Sequence, residues 1–355
     1  MSVLFTPLAL RAVALPNRVA LAPMCQYSAG PDGLPTEWHR VHYGTRAVGG
    51  AGLVLTEATA VVPEGRISPQ DTGIWSDAHV DAWRPVTAFV AAQGGVPAVQ
   101  LAHAGFKAST YRPWDTRRGG VPDAEGGWTP VGPGDTPFVP EYRVPTALDA
   151  AGITAVVEGF AAAARRALDA GFAAVEIHAA HGYLLHEFLS PLTNHRTDAY
   201  GGDRVGRMRL TLEVARAVRA AVGEDVPVLA RISATDWVPG GWTEEDSVVL
   251  AGELGAAGVD LVDCSSGGAS TTASIPVGPG YQVPLAARVR REAGVPTGAV
   301  GLIVEPEHAE EIVATGQADL VLLGRELLRD PYWPRRAAGK LGVESHWPAP
   351  YARAA

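Results

Sequence analysis

The feature that most constrains the fold is an alternation of short apolar runs with helical patterns along the chain. The apolar runs predict strands at Val19–Ala22, Leu53–Ala58, Val96–Leu101, Ala174–His178, Val228–Ile232, Leu261–Cys264, Pro296–Val300 and Leu320–Leu323. The patterns between them predict helices near Trp38–Val48 and at Asp77–Gln93, Thr154–Ala170, Arg204–Val222, Thr243–Ala257, Pro284–Ala293 and Pro306–Thr315. Two helix starts have chemical support, because Thr243 with Asp246 resembles a capping box and Pro306 stands where a first-turn proline is tolerated.

Strands and helices that alternate eight times indicate a parallel sheet, and eight such units are enough to close a barrel. An open doubly wound sheet is the alternative. It would carry a glycine-rich dinucleotide turn after the first strand, and Ala22-Pro23-Met24-Cys25-Gln26-Tyr27 is not such a turn. We therefore predict an α/β fold of the (β/α)8 TIM barrel type, with residues 1–355 forming one domain.

Two segments stand outside this alternation. From Phe106 to about Asp149 the chain is rich in proline, glycine, tryptophan and tyrosine, without a sustained period. A structureless connection of this length is usually functional, so we predict a lid that caps the barrel after the third strand rather than a decorative loop. The C-terminal tail, Leu341–Ala355, is predicted to be extended and to dock through its aromatic residues.

Composition argues against several classes of partner. The net charge is −9 and the isoelectric point about 5.6, which is not the footprint of a nucleic-acid-binding protein. The N-terminus lacks a basic region ahead of its apolar part, and no apolar run approaches the roughly 20 residues that cross a bilayer. The two cysteines, Cys25 and Cys264, make no disulfide framework. We expect a cytoplasmic protein without a nucleic-acid or membrane partner.

The stretch with the clearest chemistry follows the fourth predicted strand, which ends at His178 and is followed closely by His181 and Tyr183. Barrels present reactive side chains at the carboxyl ends of their strands. Two neutral imidazoles there could donate hydrogen bonds to one substrate oxygen, and a nearby phenol could supply a proton. A metal site and a purely structural role remain open, although zinc would need further ligands with recognisable pairing.

A second group of residues suggests a phosphate site. Gly301 follows the seventh predicted strand and Gly324-Arg325 the eighth, where many barrels bind phosphate. Arg325 could instead pair with Glu326 or Asp330. Arg231 and Gln100 lie near the ends of two other strands, and a buried arginine needs an anionic or strongly accepting partner. Cys25 is either an apolar filler or a group in contact with a phosphate-bearing cofactor.

Taken together, the motifs of this chain resemble those of the old yellow enzyme family of FMN-dependent ene-reductases. The resemblance is closest to the branch of NADPH dehydrogenases and xenobiotic reductases that carries a cysteine near the flavin. It covers essentially all residues and rests on the segments Ala22–Tyr27, Gln100–Gly105, His178–Tyr183, Asn194–Gly202, Thr297–Gly301 and Leu323–Pro331.

The resemblance implies a role for each matching residue. Non-covalent FMN would be lined by Ala22, Pro23, Met24, Cys25, Ala58, Gln100 and Arg231, with its phosphate held by Gly301, Gly324 and Arg325. His178 and His181 would bind the oxygen of an activated alkene, Tyr183 would donate the proton, and Cys25 would tune the flavin. Tyr27 and Lys107 would be further substrate contacts. Arg353 would reach into a neighbouring subunit's site, which implies a homodimer or a larger homo-oligomer.

The activity implied is that of an NADPH dehydrogenase acting by ping-pong chemistry. NADPH or NADH would reduce the flavin and leave, and an α,β-unsaturated carbonyl or nitro compound would then be reduced at its C=C bond. A barrel aldolase or isomerase that binds a sugar phosphate at Gly324-Arg325 and uses Lys107 as a Schiff-base amine is the alternative. A larger relative with an iron–sulfur cluster is disfavoured because two cysteines cannot ligate one.

This chain also departs from the family pattern. Asp203-Arg204-Val205-Gly206-Arg207 replaces the usual continuation after Gly202, and because the segment opens a helix we expect altered capping rather than altered catalysis. Phe106 stands where relatives often have arginine, and Val277 where a xenobiotic reductase has tryptophan. Both changes bear on the range of substrates.

Overall fold

The central feature of the fold is a closed parallel barrel of eight strands, seen in a computed structural model that describes residues 2–345 and 347–354. The strands are β1 (Val19–Leu21), β2 (Leu53–Ala60), β3 (Val96–Ala102), β4 (Ala174–Ala179), β5 (Val228–Ser233), β6 (Leu261–Ser265), β7 (Thr297–Ala299) and β8 (Leu320–Leu323). Neighbours in sequence are neighbours in the barrel, and β8 closes it by pairing with β1, Leu323 opposite Leu21. The predicted (β/α)8 barrel is confirmed.

The main helices alternate with these strands. They are α1 (Glu37–Val48), α2 (Asp77–Ala92), α3 (Ala150–Asp169), α4 (Arg204–Val222), α5 (Glu244–Ala256), α6 (Val283–Ala293), α7 (Pro306–Ala314) and α8 (Trp333–Lys340). Short helices at Leu184–Leu189 and Arg325–Arg329 follow β4 and β8, and 3-10 turns occupy Pro63–Gly65, Gly105–Lys107 and Asp123–Glu125. Among the residues described, no helix has the length and apolar character needed to cross a bilayer.

The helix starts follow the capping chemistry of the sequence. Thr243 and Asp246 form the predicted capping box ahead of α5, and Pro306 occupies the first turn of α7. Asp203 caps α4, since its Oδ1 accepts a hydrogen bond from the Gly206 amide at 2.9 Å. The predicted start of α3 at Thr154 is too late, because Asp149 Oδ1 accepts from the Gly152 amide at 2.8 Å and the helix begins at Ala150.

The amino end of the barrel is closed by apolar side chains. An N-terminal hairpin of Leu8–Leu10 and Val13–Leu15, which the sequence reading missed, contributes Leu10 and Leu15 to a buried cluster. The same cluster contains the first residues of β2, β6 and β8, namely Leu53, Leu261 and Leu320. This apolar layer closes the amino end, which leaves the carboxyl ends of the strands open for the site.

The segment 106–149 contains little regular structure, as predicted. Beyond its 3-10 turns it holds the strand pair Val131–Gly132 and Thr146–Ala147 and an isolated antiparallel bridge between Thr110 and Gly120. The predicted extended tail is wrong for Ala349–Ala354, which forms a 3-10 helix. The expected aromatic docking does occur: Trp347 stacks on Tyr332 with ring centroids 6.0 Å apart, and Tyr351 lies 6.2 Å from the same ring. These contacts stabilise the compact turn.

Candidate functional site

The two histidines of the site lie at the end of β4 and in the loop that follows it. His178 is in register with Arg231 on β5, and Arg231 with Asp263 on β6, so the three side chains belong to adjacent strands at the barrel mouth. The ring of His178 lies 5.2 Å from that of His181 and 5.1 Å from that of Tyr183, measured between centroids. The structure thus brings the three predicted side chains together.

Both imidazoles are held in their neutral form. Burial lowers the pKa of His178 and of His181 well below the usual value, and the positive charge of Arg231 lowers both further. A neutral imidazole donates through one nitrogen only. His181 Nε2 lies 2.7 Å from Ser265 Oγ, whereas His178 Nδ1 is buried without a hydrogen-bond partner among the described residues.

A buried pair, His186 and Asp236, supports the loop that carries His181. The sequence does not predict this pair. His181 has a left-handed backbone (φ 60°), and the next amide, that of Gly182, donates to His186 Nδ1 at 2.8 Å. His186 Nδ1 must therefore be unprotonated, which leaves the proton on Nε2, 3.0 Å from Asp236 Oδ1. Both side chains of this pair are fully buried. His186 belongs to a short helix with no amphipathic signal, so only the fold reveals its partner.

Tyr183 is protonated and sits in an apolar setting. It packs with Cys25, Tyr27 and Trp128 against a small buried cluster of Ile67, Ala104 and Ala108. Burial raises the pKa of the Tyr183 phenol well above its ordinary value, and nearby Cys25 and Asp71 raise it further. The phenol therefore holds its proton until a strong base develops beside it.

A similar buried pair supports the loop after β1. Glu57 Oε2 accepts from the Gln26 amide at 2.7 Å, and Glu57 Oε1 lies 3.0 Å from His39 Nε2. Gln26 stands between Cys25 and Tyr27, and Tyr27 has a left-handed backbone (φ 48°). Burial raises the pKa of the Cys25 thiol well above its usual value, so the group at this position is a thiol rather than a thiolate.

Deeper in the barrel, the amide of Gln100 is tied to a carboxyl group. Its Nε2 donates to Glu176 Oε1 at 2.8 Å, and Gln100 is in register with Ala58 on β2. Burial and the nearby Asp263 raise the pKa of Glu176 to about 8. Arg231, with Nε 3.2 Å from Asp263 Oδ2, is the cation in this group. The sequence reading did not include Glu176 or Asp263.

The predicted phosphate residues line one cavity at the ends of β7 and β8. It has a volume of about 170 Å³, and its walls include Arg231, Gly301, Gly324, Arg325 and Arg329. Arg325 is exposed and has no ion pair within the described chain. The alternative pairings are taken elsewhere: Glu326 contacts Arg329, and Asp330 contacts Arg336. Gly301 has φ 133°, and a Cβ there would lie 3.1 Å from the Tyr281 ring.

A second and larger cavity is lined by residues of segment 106–149. Its volume is about 600 Å³; Tyr27, Lys107 and Tyr183 form its floor, and further residues of segment 106–149 form its walls. Lys107 Nζ donates to the carbonyl oxygens of His181 at 2.8 Å and Gly268 at 2.6 Å. Burial lowers the pKa of Lys107 to about 8. Lys107 therefore contacts the His181 loop directly.

Two departures from the family pattern lie in different settings. Phe106 is buried at the start of segment 106–149, its amide donates to Glu187 Oε1 at 3.0 Å, and its ring lies 5.4 Å from that of Phe138. Val277 is 61% exposed. Only Phe106 is packed near the cavity floor.

Arg353 lies in the C-terminal tail and lines neither of the two cavities described above. It is exposed in the tail helix, whose Tyr351 lines a surface groove with α1 residues Glu37 and Val41. Ala22 and Met24, in contrast, lie close to Gly324: a Cβ at Gly324 would be 4.0 Å from Ala22 Cβ and 3.5 Å from Met24 Sδ. Pro23 stands between them and is partly buried.

With this geometry established, sequence comparison identifies the family. Residues 3–344 match the sequence model of the NADH:flavin oxidoreductase / NADH oxidase family. The chain belongs to this family. It is 47% identical over 343 residues to the NADPH dehydrogenase of Geobacillus sp. (strain WCH70), covering 96% of this chain and 95% of that relative.

Solved structures of proteins similar in sequence share the fold. The old yellow enzyme homologue from Zymomonas mobilis superposes with a TM-score of 0.81 at 31% identity, covering 96% of this chain and 94% of that one. The complex of 2-naphthoyl-CoA reductase with 2-naphthoyl-CoA superposes with a TM-score of 0.87 at 25% identity over 96% of this chain. This chain spans 52% of that longer protein. The predicted old yellow enzyme relationship is confirmed.

The flavin that this family implies fits the residues present. The cavity at β7 and β8 offers the guanidinium groups of Arg231 and Arg325 beside glycine backbone, which suits a phosphate. The wall formed by Ala22 and Met24 near Gly324 is apolar and suits a flat ring system. The chain is an FMN-dependent NAD(P)H oxidoreductase.

Proposed function

We propose that this oxidoreductase is an ene-reductase, which reduces the C=C bond of α,β-unsaturated carbonyl or nitro compounds with NADPH or NADH as hydride donor. The observation that carries the proposal is the pair of neutral imidazoles, His178 and His181, beside the protonated phenol of Tyr183. Bound FMN supplies the means to accept a hydride from the nicotinamide and to deliver it to the alkene.

The substrate's oxygen binds to His178 and His181. Each neutral imidazole donates one hydrogen bond, and these bonds strengthen as negative charge develops on the oxygen during hydride transfer to the β-carbon. Neutral donors suit this role because they stabilise the developing charge without giving up a proton. Tyr27 and Lys107 border the same space from the cavity floor.

Tyr183 supplies the proton to the α-carbon. Its raised pKa prevents ionisation before the substrate binds, and the carbanion character that develops at the α-carbon provides the base that takes the proton. Transfer from a positioned phenol also fixes the face from which the proton arrives.

The residues assigned to FMN divide between its two ends. Gly301, Gly324 and Arg325 would hold the phosphate, and Ala22, Pro23, Met24, Ala58 and Gln100 would contact the ring system. Arg231 would provide positive charge at the ring edge, and the neutral Cys25 thiol would contact the flavin. The buried Glu57 supports Cys25 through the Gln26 amide.

We further propose that segment 106–149 acts as the lid of the substrate site. Its residues Tyr111, Phe138 and Tyr142 complete the walls of the cavity that Tyr27 and Tyr183 floor. An assembly of at least two copies, with Arg353 completing a neighbouring site, and a cytoplasmic location with free Cys25 and Cys264 complete the proposal.

The aldolase or isomerase alternative is not favoured. A Schiff-base lysine needs its nitrogen free to attack a carbonyl, and Lys107 Nζ is held by two backbone carbonyl oxygens. The lysine is better suited to fixing the loop that carries His181.

An anaerobic titration tests the proposed function. NADPH should bleach the flavin absorbance of the purified protein, and 2-cyclohexenone added to the bleached protein should restore it. Restoration by oxygen but not by 2-cyclohexenone or a nitroalkene would contradict ene-reduction while leaving the flavoprotein assignment intact.

A further inference from the structure

The arginines of the lid differ in how their charges are balanced. Arg117 lies 3.0 Å from Asp115 and also contacts Glu125, and Arg143 contacts Asp123. Within the described chain, neither Arg112 nor Arg118 has a carboxylate within ion-pair distance, although the charge of Arg112 acts on Asp115 and helps to lower the pKa of that carboxyl group. Arg118 donates only to the backbone oxygens of Asp115 and Arg117, and Arg112 lies 5.8 Å from the Trp114 ring centroid.

This division matches the position of each arginine relative to the large cavity. Arg112 and Arg118 line it, whereas the paired Arg117 and Arg143 do not. One carboxylate, Glu141, also lies on the wall, so the two guanidinium groups outnumber it and Lys107 adds positive charge at the floor. The cavity wall is therefore electropositive where the lid faces the reaction site.

The cavity is large enough for a nucleotide. Its volume of about 600 Å³ falls within the range of roughly 300–1,000 Å³ that is typical of small-molecule sites. Aromatic faces on its walls, among them Tyr111 and Tyr142, can stack on a base. Guanidinium groups bind phosphate oxygens in a bidentate manner, and unpaired ones need not first leave a carboxylate.

We propose that Arg112 and Arg118 bind phosphate groups of the nicotinamide cosubstrate as its reactive ring enters between Tyr183 and the lid. The proposal rests on the function proposed above and assigns to the lid a part in selecting the hydride donor. A dinucleotide carries a pyrophosphate, and NADPH carries a 2′-phosphate as well. Guanidinium groups can bind either of these phosphate groups. The alkene, which carries no phosphate, uses the floor of the cavity alone.

The test is anaerobic stopped-flow reduction of the FMN-loaded enzyme by three donors: NADPH, NADH and phosphate-free 1-benzyl-1,4-dihydronicotinamide. The Arg112→Gln/Arg118→Gln variant should raise the half-saturating concentration of NADPH about tenfold or more, and change that of the phosphate-free donor less than twofold. If the half-saturating concentration rises for NADPH alone, the two arginines bind the 2′-phosphate. If it rises equally for NADH, they bind the pyrophosphate. Arg117→Gln/Arg143→Gln is the matched control, because it removes the same two charges from arginines that are already paired, and it should leave all three values unchanged.

Three results would overturn the inference. They are unchanged NADPH saturation in Arg112→Gln/Arg118→Gln, an equal loss with the phosphate-free donor, and an equal loss in Arg117→Gln/Arg143→Gln. The second would show that the lid is deformed, and the third that only net charge matters. Failure of the proposed function looks different, since wild-type flavin would then be reduced by these donors but not reoxidised by an alkene.

Discussion

At the scale of single residues, the protonation states of three side chains define the chemistry. His178 and His181 are neutral because burial and Arg231 disfavour a further positive charge, and Tyr183 is protonated because burial disfavours its anion. The same desolvation therefore produces two hydrogen-bond donors and one weak acid. Sequence alone could name these residues, but it could not give their protonation states, which depend on burial in the folded chain and on Arg231 of the neighbouring strand.

Tyr183→Phe should separate the two half-reactions. Loss of the phenol removes the proton donor, so flavin reoxidation by 2-cyclohexenone should slow by roughly 10²–10⁴-fold, the usual contribution of general acid catalysis. The rate of flavin reduction by NADPH should stay within a few-fold of the wild-type rate, because this step needs no proton from Tyr183. Stopped-flow absorbance measures both rates, and Tyr111→Phe, the same change on the same cavity, is the control. An unchanged reoxidation rate would remove Tyr183 from its role.

Lys107 should give the alkene half-reaction a pH dependence. As the pH rises through the Lys107 pKa of about 8, the ammonium loses its charge and its bonds to the carbonyls of His181 and Gly268 weaken. A loss of about 1 kcal/mol in loop support should raise the KM for 2-cyclohexenone about fivefold above that pH.

Lys107→Met should show the high KM at every pH, without an inflection near the Lys107 pKa. Lys340→Met, which removes an exposed lysine paired with Glu305, is the control and should keep the inflection. If the inflection persists in Lys107→Met, another group is responsible.

At the scale of elements, the two loops that carry substrate-binding side chains are built alike. Each has a residue with a left-handed backbone, Tyr27 or His181, and each has a neighbouring amide bound by a buried carboxylate–imidazole pair. In the first loop the carboxylate of Glu57 accepts directly, and in the second the imidazole of His186 accepts with Asp236 behind it. Burial on both sides fixes these strained conformations.

Gly182→Ala tests how closely the second loop is packed. Gly182 has φ 69°, and an added Cβ would lie 2.1 Å from the Gly268 carbonyl oxygen. We expect the loop to shift, with a large loss of substrate affinity and of stability. Gly294→Ala is the matched control, because it has the same φ of 69° but no atom within 4 Å, so it should cost only about 1–2 kcal/mol of backbone strain and leave activity intact. The free energy of unfolding in urea and the affinity for substrate are measured for both variants. Equal losses in Gly182→Ala and Gly294→Ala would contradict the close packing at Gly182.

The elements also show where sequence reasoning works. Every predicted barrel strand is present with its ends shifted by two residues or fewer, because buried parallel strands read as continuous apolar runs. The hairpin Leu8–Leu10 with Val13–Leu15 was missed because strands of three residues carry no period. The helix Leu184–Leu189 was missed because all six of its residues are buried, which removes any amphipathic pattern.

At the scale of the whole molecule, the barrel separates stability from chemistry. Leu10 and Leu15 help to seal the amino end, and the polar side chains of the site collect at the carboxyl ends of the strands. This arrangement is common to TIM barrels, so the position of the site could be predicted once the barrel was recognised. The partners Glu57–His39 and His186–Asp236 could not, because each pair joins residues of two different elements that only tertiary packing brings together.

The tail makes a prediction about assembly. If Arg353 acts in a neighbouring site, Arg353→Ala should raise the KM for 2-cyclohexenone several-fold with unchanged flavin content. Mixed oligomers of Arg353→Ala and Tyr183→Phe subunits should regain activity, because an Arg353→Ala subunit keeps its Tyr183 and receives Arg353 from its neighbour. Absence of any gain on mixing, checked by native mass spectrometry of the hybrids, would place Arg353 outside the neighbouring site.

The central claim is that His178 and His181 bind one substrate oxygen above the flavin. The most direct measurement is titration of the oxidised holoenzyme with 4-chlorophenol, followed by the long-wavelength charge-transfer band that a phenolate gives when it is held against a flavin. The wild-type protein should develop the band, and His178→Ala/His181→Ala should bind FMN but develop none. A band of undiminished strength and affinity in the double variant would contradict the account.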